Sequence, residues 1–110
     1  MARGARGWGW ADVLPYYKKV ERDMDFGGPL HGKEGRIPVR RIFPDLWSDH
    51  AKASAEAFKA GGFEYLPDQN GEWKDGYYPI TISNAYERRV SAAIGYLDPE
   101  APKKLMPRLR

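Results

Sequence analysis

Apolar residues recur three and four positions apart through residues 8–23. Trp10, Val13, Leu14, Tyr17 and Val20 fall on one side of a helix. Pro15 interrupts the run. A proline costs roughly 3 kcal/mol in a helix interior and little in the first turn. The pattern therefore predicts a short turn at 10–13, then a helix with Pro15 in its first turn. Met24 to Gly35 carries four glycines and a proline and reads as a loop. The period then drops to two. Ile37 and Val39 alternate with polar neighbours across Arg36 to Ile42, a short strand. Helical spacing returns from Pro44 to Ala60, where Leu46, Trp47, His50, Ser54, Ala57 and Phe58 share a face. Asp45 suits the positive end of that helix dipole, and Gly61-Gly62 ends it with a left-handed cap. Turn signals follow at Pro67-Asp68, Asn70-Gly71 and Asp75-Gly76. Tyr78, Ile80 and Ile82 mark a second strand over Tyr77 to Ser83. Val90, Ala93, Ile94 and Leu97 predict a last helix from Arg89 to Leu97, stopped by Asp98-Pro99. A basic tail over 102–110 is expected to fray.

The sum is α+β: a small irregular domain with two to three helices, two short strands and long connections. Residues 1–110 form a single segment without internal repeats. The candidate core is Trp10, Leu14, Tyr17, Val39, Leu46, Trp47, Phe58, Ile80, Ile82, Val90, Ile94 and Leu97. Such a core holds a small domain only marginally, and the loops are long for an autonomous one. The pattern looks like a piece of something larger.

Composition adds exclusions. A chain of 110 residues is one domain's worth. It has no cysteine, which removes a disulfide scaffold, a thiolate zinc site and a cysteine nucleophile. No apolar run approaches the roughly 20 residues of a membrane span, and no apolar stretch follows Arg3 and Arg6 as in a secretory signal. The expected compartment is the cytoplasm. The net charge of +3 invites a nucleic-acid reading, but its distribution argues against one. Residues 1–9 carry +2, residues 27–43 carry +3 and residues 101–110 carry +4, while 44–100 sum to −5. Cations at the chain ends do not make a phosphate track. No nucleic-acid partner is expected.

The chemical candidates are few. His31 lies in the glycine-rich loop and His50 on the second predicted helix; both read as loop or surface histidines, without a group placed to orient them as a general base. Asp68, Glu72 and Asp75 resemble a calcium loop loosely, but the twelfth position falls on Pro79 where a bidentate glutamate is needed. Asp68 and Asn70 are better explained as holding a turn through side-chain to backbone bonds. Ser91 reads as an early helix residue or cap. Gly7-Trp8-Gly9 opens an amphipathic helix, lacks a third glycine and follows no strand, so it is not a dinucleotide fingerprint. Trp73, Tyr77, Tyr78 and Arg89 are the residues expected to face a substrate or partner. No residue is assigned as catalytic, cofactor-binding or metal-ligating.

Three stretches together resemble the glucose–methanol–choline (GMC) oxidoreductases. They are Gly7-Trp8-Gly9-Trp10-Ala11-Asp12-Val13-Leu14-Pro15-Tyr16-Tyr17-Lys18-Lys19, then Leu30-His31-Gly32-Lys33-Glu34-Gly35-Arg36-Ile37-Pro38-Val39. Last come Asp68-Gln69-Asn70-Gly71 and Arg89-Val90-Ser91-Ala92-Ala93-Ile94-Gly95-Tyr96-Leu97. Their order and separations carry the match. The resemblance implies an interior segment of a much longer FAD enzyme that oxidises alcohols, choline-like in branch, from its substrate or cap region. It implies FAD in the full-length relatives and none held by this chain alone, whose sequence has neither the family's glycine fingerprint nor its catalytic histidine region. The implied partners are the missing parts of such an enzyme, or a self-associated copy in a homodimer. One departure is local: Glu87 stands where relatives usually have glycine, two residues before Arg89.

Overall fold

The computed structural model describes residues 4, 6–85 and 87–97. The expected basic tail and the Asp98-Pro99 stop lie outside these. The elements run α1 (Trp10–Val20), β1 (Glu21–Asp23), β2 (Ile37–Arg41), α2 (Asp49–Ala60), β3 (Thr81–Ile82), β4 (Asn84–Ala85), β5 (Arg88–Arg89) and α3 (Ala92–Tyr96). The class is the expected α+β. Two compact units divide the chain, one formed by Met1–Val39 with Ser83–Arg110, the other by Arg40–Ile82.

In the first unit, α1 starts at Trp10 and runs through Pro15 without a break, which corrects the expected turn at 10–13. The Gly9 amide donates to the Asp12 carboxylate at 3.0 Å, and the Gly9 carbonyl already accepts from Asp12 and Val13. The helix is therefore initiated ahead of the proline. Ala11 and Pro15 are both exposed, so water can replace the donor that Pro15 lacks. Residues 21–23, expected as helix, are instead β1, paired in parallel with Ile37–Val39. The loop between these strands passes very close to α1. A Cβ on Gly32 would overlap the Lys18 and Glu21 carbonyl oxygens, and one on Gly35 those of Val20 and Glu21. The unit also holds the β4–β5 hairpin, with Asn84 opposite Arg89, and α3, capped by Ser91 accepting from the Ile94 amide. Glu87 sits in the hairpin turn at φ +58, a left-handed conformation. Glycine takes it without strain, and the family resemblance favours glycine there. The expected helix start at Arg89 is wrong, because Arg89 completes β5.

The second unit begins at Arg40, inside β2: Arg40 and Arg41 pair antiparallel with Ile82 and Thr81. The expected helix from Pro44 is split. Pro44–Leu46 forms a 3-10 turn, Trp47 is extended, and Ser48 caps α2 by accepting from the Ala51 amide at 3.3 Å. Gly62 at φ +86 ends α2 as expected. The second predicted strand shrinks to Thr81–Ile82, with Tyr77 bridging Tyr65 in parallel.

None of the twelve candidate core residues is buried. Trp10, Tyr17, Leu46, Phe58, Ile80, Ile94 and Leu97 are exposed, and the other five are half-buried. The interiors are built from other groups: Pro38, Ala85, Asp23 and His31 in the first unit, Leu66, Pro79 and Arg41 in the second. Periodicity marks which side of a helix is apolar. It does not supply a layer to cover that side. No helix among the described residues is long and apolar enough to cross a membrane.

Candidate functional site

The second unit carries an aromatic cleft of about 530 Å³. Its floor is α2, where Ala51, Ser54 and Ala55 keep the helix surface low, and its walls include Trp47, Phe58, Tyr77 and Tyr78. Phe58 stacks on Tyr77 at 6.1 Å between centroids and meets Phe63 edge-on at 6.0 Å. Tyr65 lies behind them, 5.5 Å from Tyr77 and 6.2 Å from Trp47. Arrangements of this kind add to the burial of the rings themselves. The Trp47 indole donates to the Ile42 carbonyl at 2.6 Å, which fixes the ring plane. Burial, reinforced by Tyr77 and Asp45, pushes the Tyr65 phenol above its ordinary 10.0. The lining contains no carboxylate and no lysine or arginine. This surface suits a flat, uncharged group or an apolar side chain. His50 lines the cleft, but no acidic neighbour in the lining orients it for proton transfer.

Of the residues expected to face a substrate or partner, Tyr77 and Tyr78 are brought together in this cleft. Trp73 is exposed and is not part of the lining. Arg89 belongs to the other unit, exposed on β5.

Within the same unit, Arg41 is 1% exposed and its guanidinium donates to Asp68 Oδ1 at 2.8 Å. The same oxygen accepts from the Asn70 amide at 3.2 Å. The turn reading of Asp68 is thus correct. Glu72 pairs with Lys74 at 3.0 Å on the surface. What the sequence concealed is the salt bridge to Arg41, 27 residues away.

His31 is a correction. It is buried, with Nδ1 3.0 Å from Asp23 Oδ2 and 3.5 Å from Glu21 Oε2. The close approach allowed by Gly32 and Gly35 carries it there. Asp23 Oδ1 accepts from the amides of Asp25 and Phe26, and Glu21 Oε2 from that of Gly32. Among the described residues this is the one His/Asp/Glu group whose donor atoms lie within 4.8 Å of one another. Asp23 Oδ1 and Glu21 Oε2 are engaged by backbone amides and Asp23 Oδ2 lies beside His31, so the group fixes the loop onto β1.

A flavin needs its pyrophosphate held where a strand turns through glycines into a helix. Among the described residues no such turn occurs. Gly7 and Gly9 precede α1 but follow no strand, and β1 and β2 are joined by a loop without a helix. The described residues do not fit that cradle.

No protein-family model matches the chain. Curated relatives do. Over 99 residues it is 48% identical to 5-(hydroxymethyl)furfural oxidase of Methylovorus sp. (strain MP688), an alignment covering 89% of this chain and 19% of that oxidase. Over 98 residues it is 43% identical to oxygen-dependent choline dehydrogenase of Brucella ovis, covering 87% of this chain and 17% of the relative. The crystal structure of pyridoxine 4-oxidase from Mesorbium loti superposes with a TM-score of 0.72 at 32% identity, over 86% of this chain and 18% of the other. The chain therefore spans about a fifth of the length of the relatives it matches. Sequence and backbone agree along nearly the whole chain, and the chain belongs to the GMC oxidoreductases.

Proposed function

We propose that this segment serves an FAD-dependent, GMC-type alcohol oxidoreductase by supplying substrate-cavity and domain-packing surface, and that it is not catalytically competent alone. The observation that carries the reading is the outward-facing aromatic and aliphatic surface. Trp8, Trp10, Tyr16 and Tyr17 are exposed in one unit, and Leu46, Phe58 and Ile80 in the other. Monomeric proteins rarely leave so much large apolar surface bare. The uncharged cleft of Trp47, Phe58, Tyr77 and Tyr78 is the surface best suited to face an alcohol that carries a ring, such as those named in two of the relatives. Flavin supplies the hydride acceptor in this chemistry when bound. The groups that would hold it and take the alcohol proton belong to other parts of the polypeptide.

The test is a chimera. The matching 99 residues of the Methylovorus oxidase are replaced by this chain. A yellow protein that oxidises 5-(hydroxymethyl)furfural is expected. The isolated chain, mixed with FAD and the same alcohol, should neither take up flavin nor turn over. A colourless, inactive chimera, or flavin uptake by the chain alone, would overturn the proposal.

A further inference from the structure

Glu21 and Asp23 stand two residues apart in β1, so their side chains leave the strand on the same side. The loop that follows brings His31 back to them. Gly32 and Gly35 permit this, because each lies where a Cβ would overlap backbone carbonyls at the end of α1 and the start of β1. The Asp23 and His31 side chains are 0% and 5% exposed, and Glu21 keeps 19%. His31 Nδ1 stands 3.0 Å from Asp23 Oδ2 and 3.5 Å from Glu21 Oε2, and one donor atom from each of the three lies within 4.8 Å of the others. Ligands of one zinc ion sit about 2.0–2.2 Å from it, which puts neighbouring donors about 3.0–3.5 Å apart. The spacing is already that of half a coordination sphere. Both carboxylates are also fixed from behind: Asp23 Oδ1 accepts from the Asp25 and Phe26 amides, and Glu21 Oε2 from the Gly32 amide. Hydrogen bonds of this kind orient metal ligands before the ion arrives. His31 also lines a cavity of about 440 Å³, which gives a path for an ion and room for its remaining waters.

We propose that Glu21, Asp23 and His31 form a binding site for one divalent transition ion of the zinc class, and that the ion ties the loop after β1 to the strand. The donor set decides the class. One imidazole with two carboxylates suits Zn²⁺, whereas Mg²⁺ and Ca²⁺ take oxygen ligands alone. Two forces oppose the ion. A proton between His31 and Asp23 gives the same 3.0 Å contact, and His31 Nδ1 must be without it to bind through its lone pair. The Lys33 ammonium donates to the Asp23 carbonyl at 2.8 Å, so the ion meets a positive charge close by. Both hold the affinity to the micromolar range.

The full chain, stripped of metal with a chelator, is titrated with ZnCl₂ by calorimetry, and with MgCl₂ for comparison. One Zn²⁺ per chain is expected, with Kd below about 10 µM, and no measurable Mg²⁺. Glu21→Gln keeps an oxygen for the Gly32 amide and loses the charged ligand. It and His31→Gln should each weaken zinc by at least about tenfold. His50→Gln changes the chain's other histidine and should leave zinc binding as it was. Circular dichroism checks that each variant keeps its fold. A second readout needs no folded ligand variant: in the unmodified chain, zinc should shift the imidazole NMR signals of His31 and leave those of His50, which are identified by their loss in His50→Gln. Three results would overturn the site: a Kd above about 10 µM, zinc shifts at His50 without any at His31, or folded Glu21→Gln and His31→Gln chains that bind zinc as tightly as the unmodified one. If neither ligand variant folds, the His31 signals decide: a shift supports the site and no shift overturns it.

Discussion

Removing the Asp68 carboxylate gives the sharpest test of what holds the second unit together. Arg41 has a side chain fully shielded from water, while Asp68 keeps 13% of its side-chain surface. Asp68→Ala removes the carboxylate oxygen to which the buried Arg41 guanidinium donates at 2.8 Å. Breaking a buried pair on one side costs about 3–5 kcal/mol, and the partial exposure of Asp68 argues for the lower end, about 3 kcal/mol. In a domain of this size 1 kcal/mol moves Tm by about 4–8 °C, so the transition should fall by about 12–24 °C. Asp68→Asn keeps an oxygen for the Asn70 amide and loses only the charge, so it should cost about half as much. The double change Arg41→Met with Asp68→Leu removes both charges and keeps most of the volume. It should recover most of the loss, because a desolvated charge that has lost the Asp68 carboxylate, not missing volume, is the penalty. The assay is thermal and urea unfolding followed by circular dichroism. Two results would refute the reasoning: a loss below about 1 kcal/mol for Asp68→Ala, or a double variant no more stable than the single one.

Other consequences are smaller and independent. Glu87→Gly should raise stability by about 0.5–1 kcal/mol in urea unfolding, since relief of the left-handed strain exceeds the added unfolded-state entropy; a loss would mean the hairpin turn is held by the Glu87 side chain. Ser48→Ala should cost about 1 kcal/mol by removing the α2 cap, and Ser48→Asp should restore most of it. His31→Leu should free the loop 24–35 and make it the first site cut in limited proteolysis, because Asp23 and Glu21 lose the group between them. The Tyr65 phenol is held neutral above its ordinary 10.0, so its stabilisation is complete below about pH 10 and is lost as pH rises through the higher folded value. Absorbance titration should show one tyrosine ionising late, and Tyr65→Phe should remove it.

The parts of the fold legible in the sequence are those written locally. Gly62 ends α2 because a left-handed cap needs no more than its own two glycines. Ser91 caps α3, and Asp68 turns the chain, through bonds spanning two or three residues. The strand at Ile37–Arg41 and the family motifs are equally local. Ser48 could have been read as the true start of α2, since a serine directly before Asp49 is a stronger cap signal than Pro44. The interior was illegible for a different reason. Arg41 and Asp68, or His31 and Asp23, become partners only when distant segments meet, and charged residues carry no mark of burial in a sequence. The apolar helix faces were identified correctly as faces, but α1 and α2 contain no buried residue. A periodic stripe says that something should cover it and is silent about what does.

Amide hydrogen exchange across α1, in the isolated chain and in the chimera, tests the central claim most directly. If the exposed surface of this segment is meant to lie against other GMC polypeptide, the amides of Val13 to Val20 should exchange at least a hundredfold more slowly in the chimera. Equal protection in both would contradict the account, because it would show that α1 already has all the covering it needs.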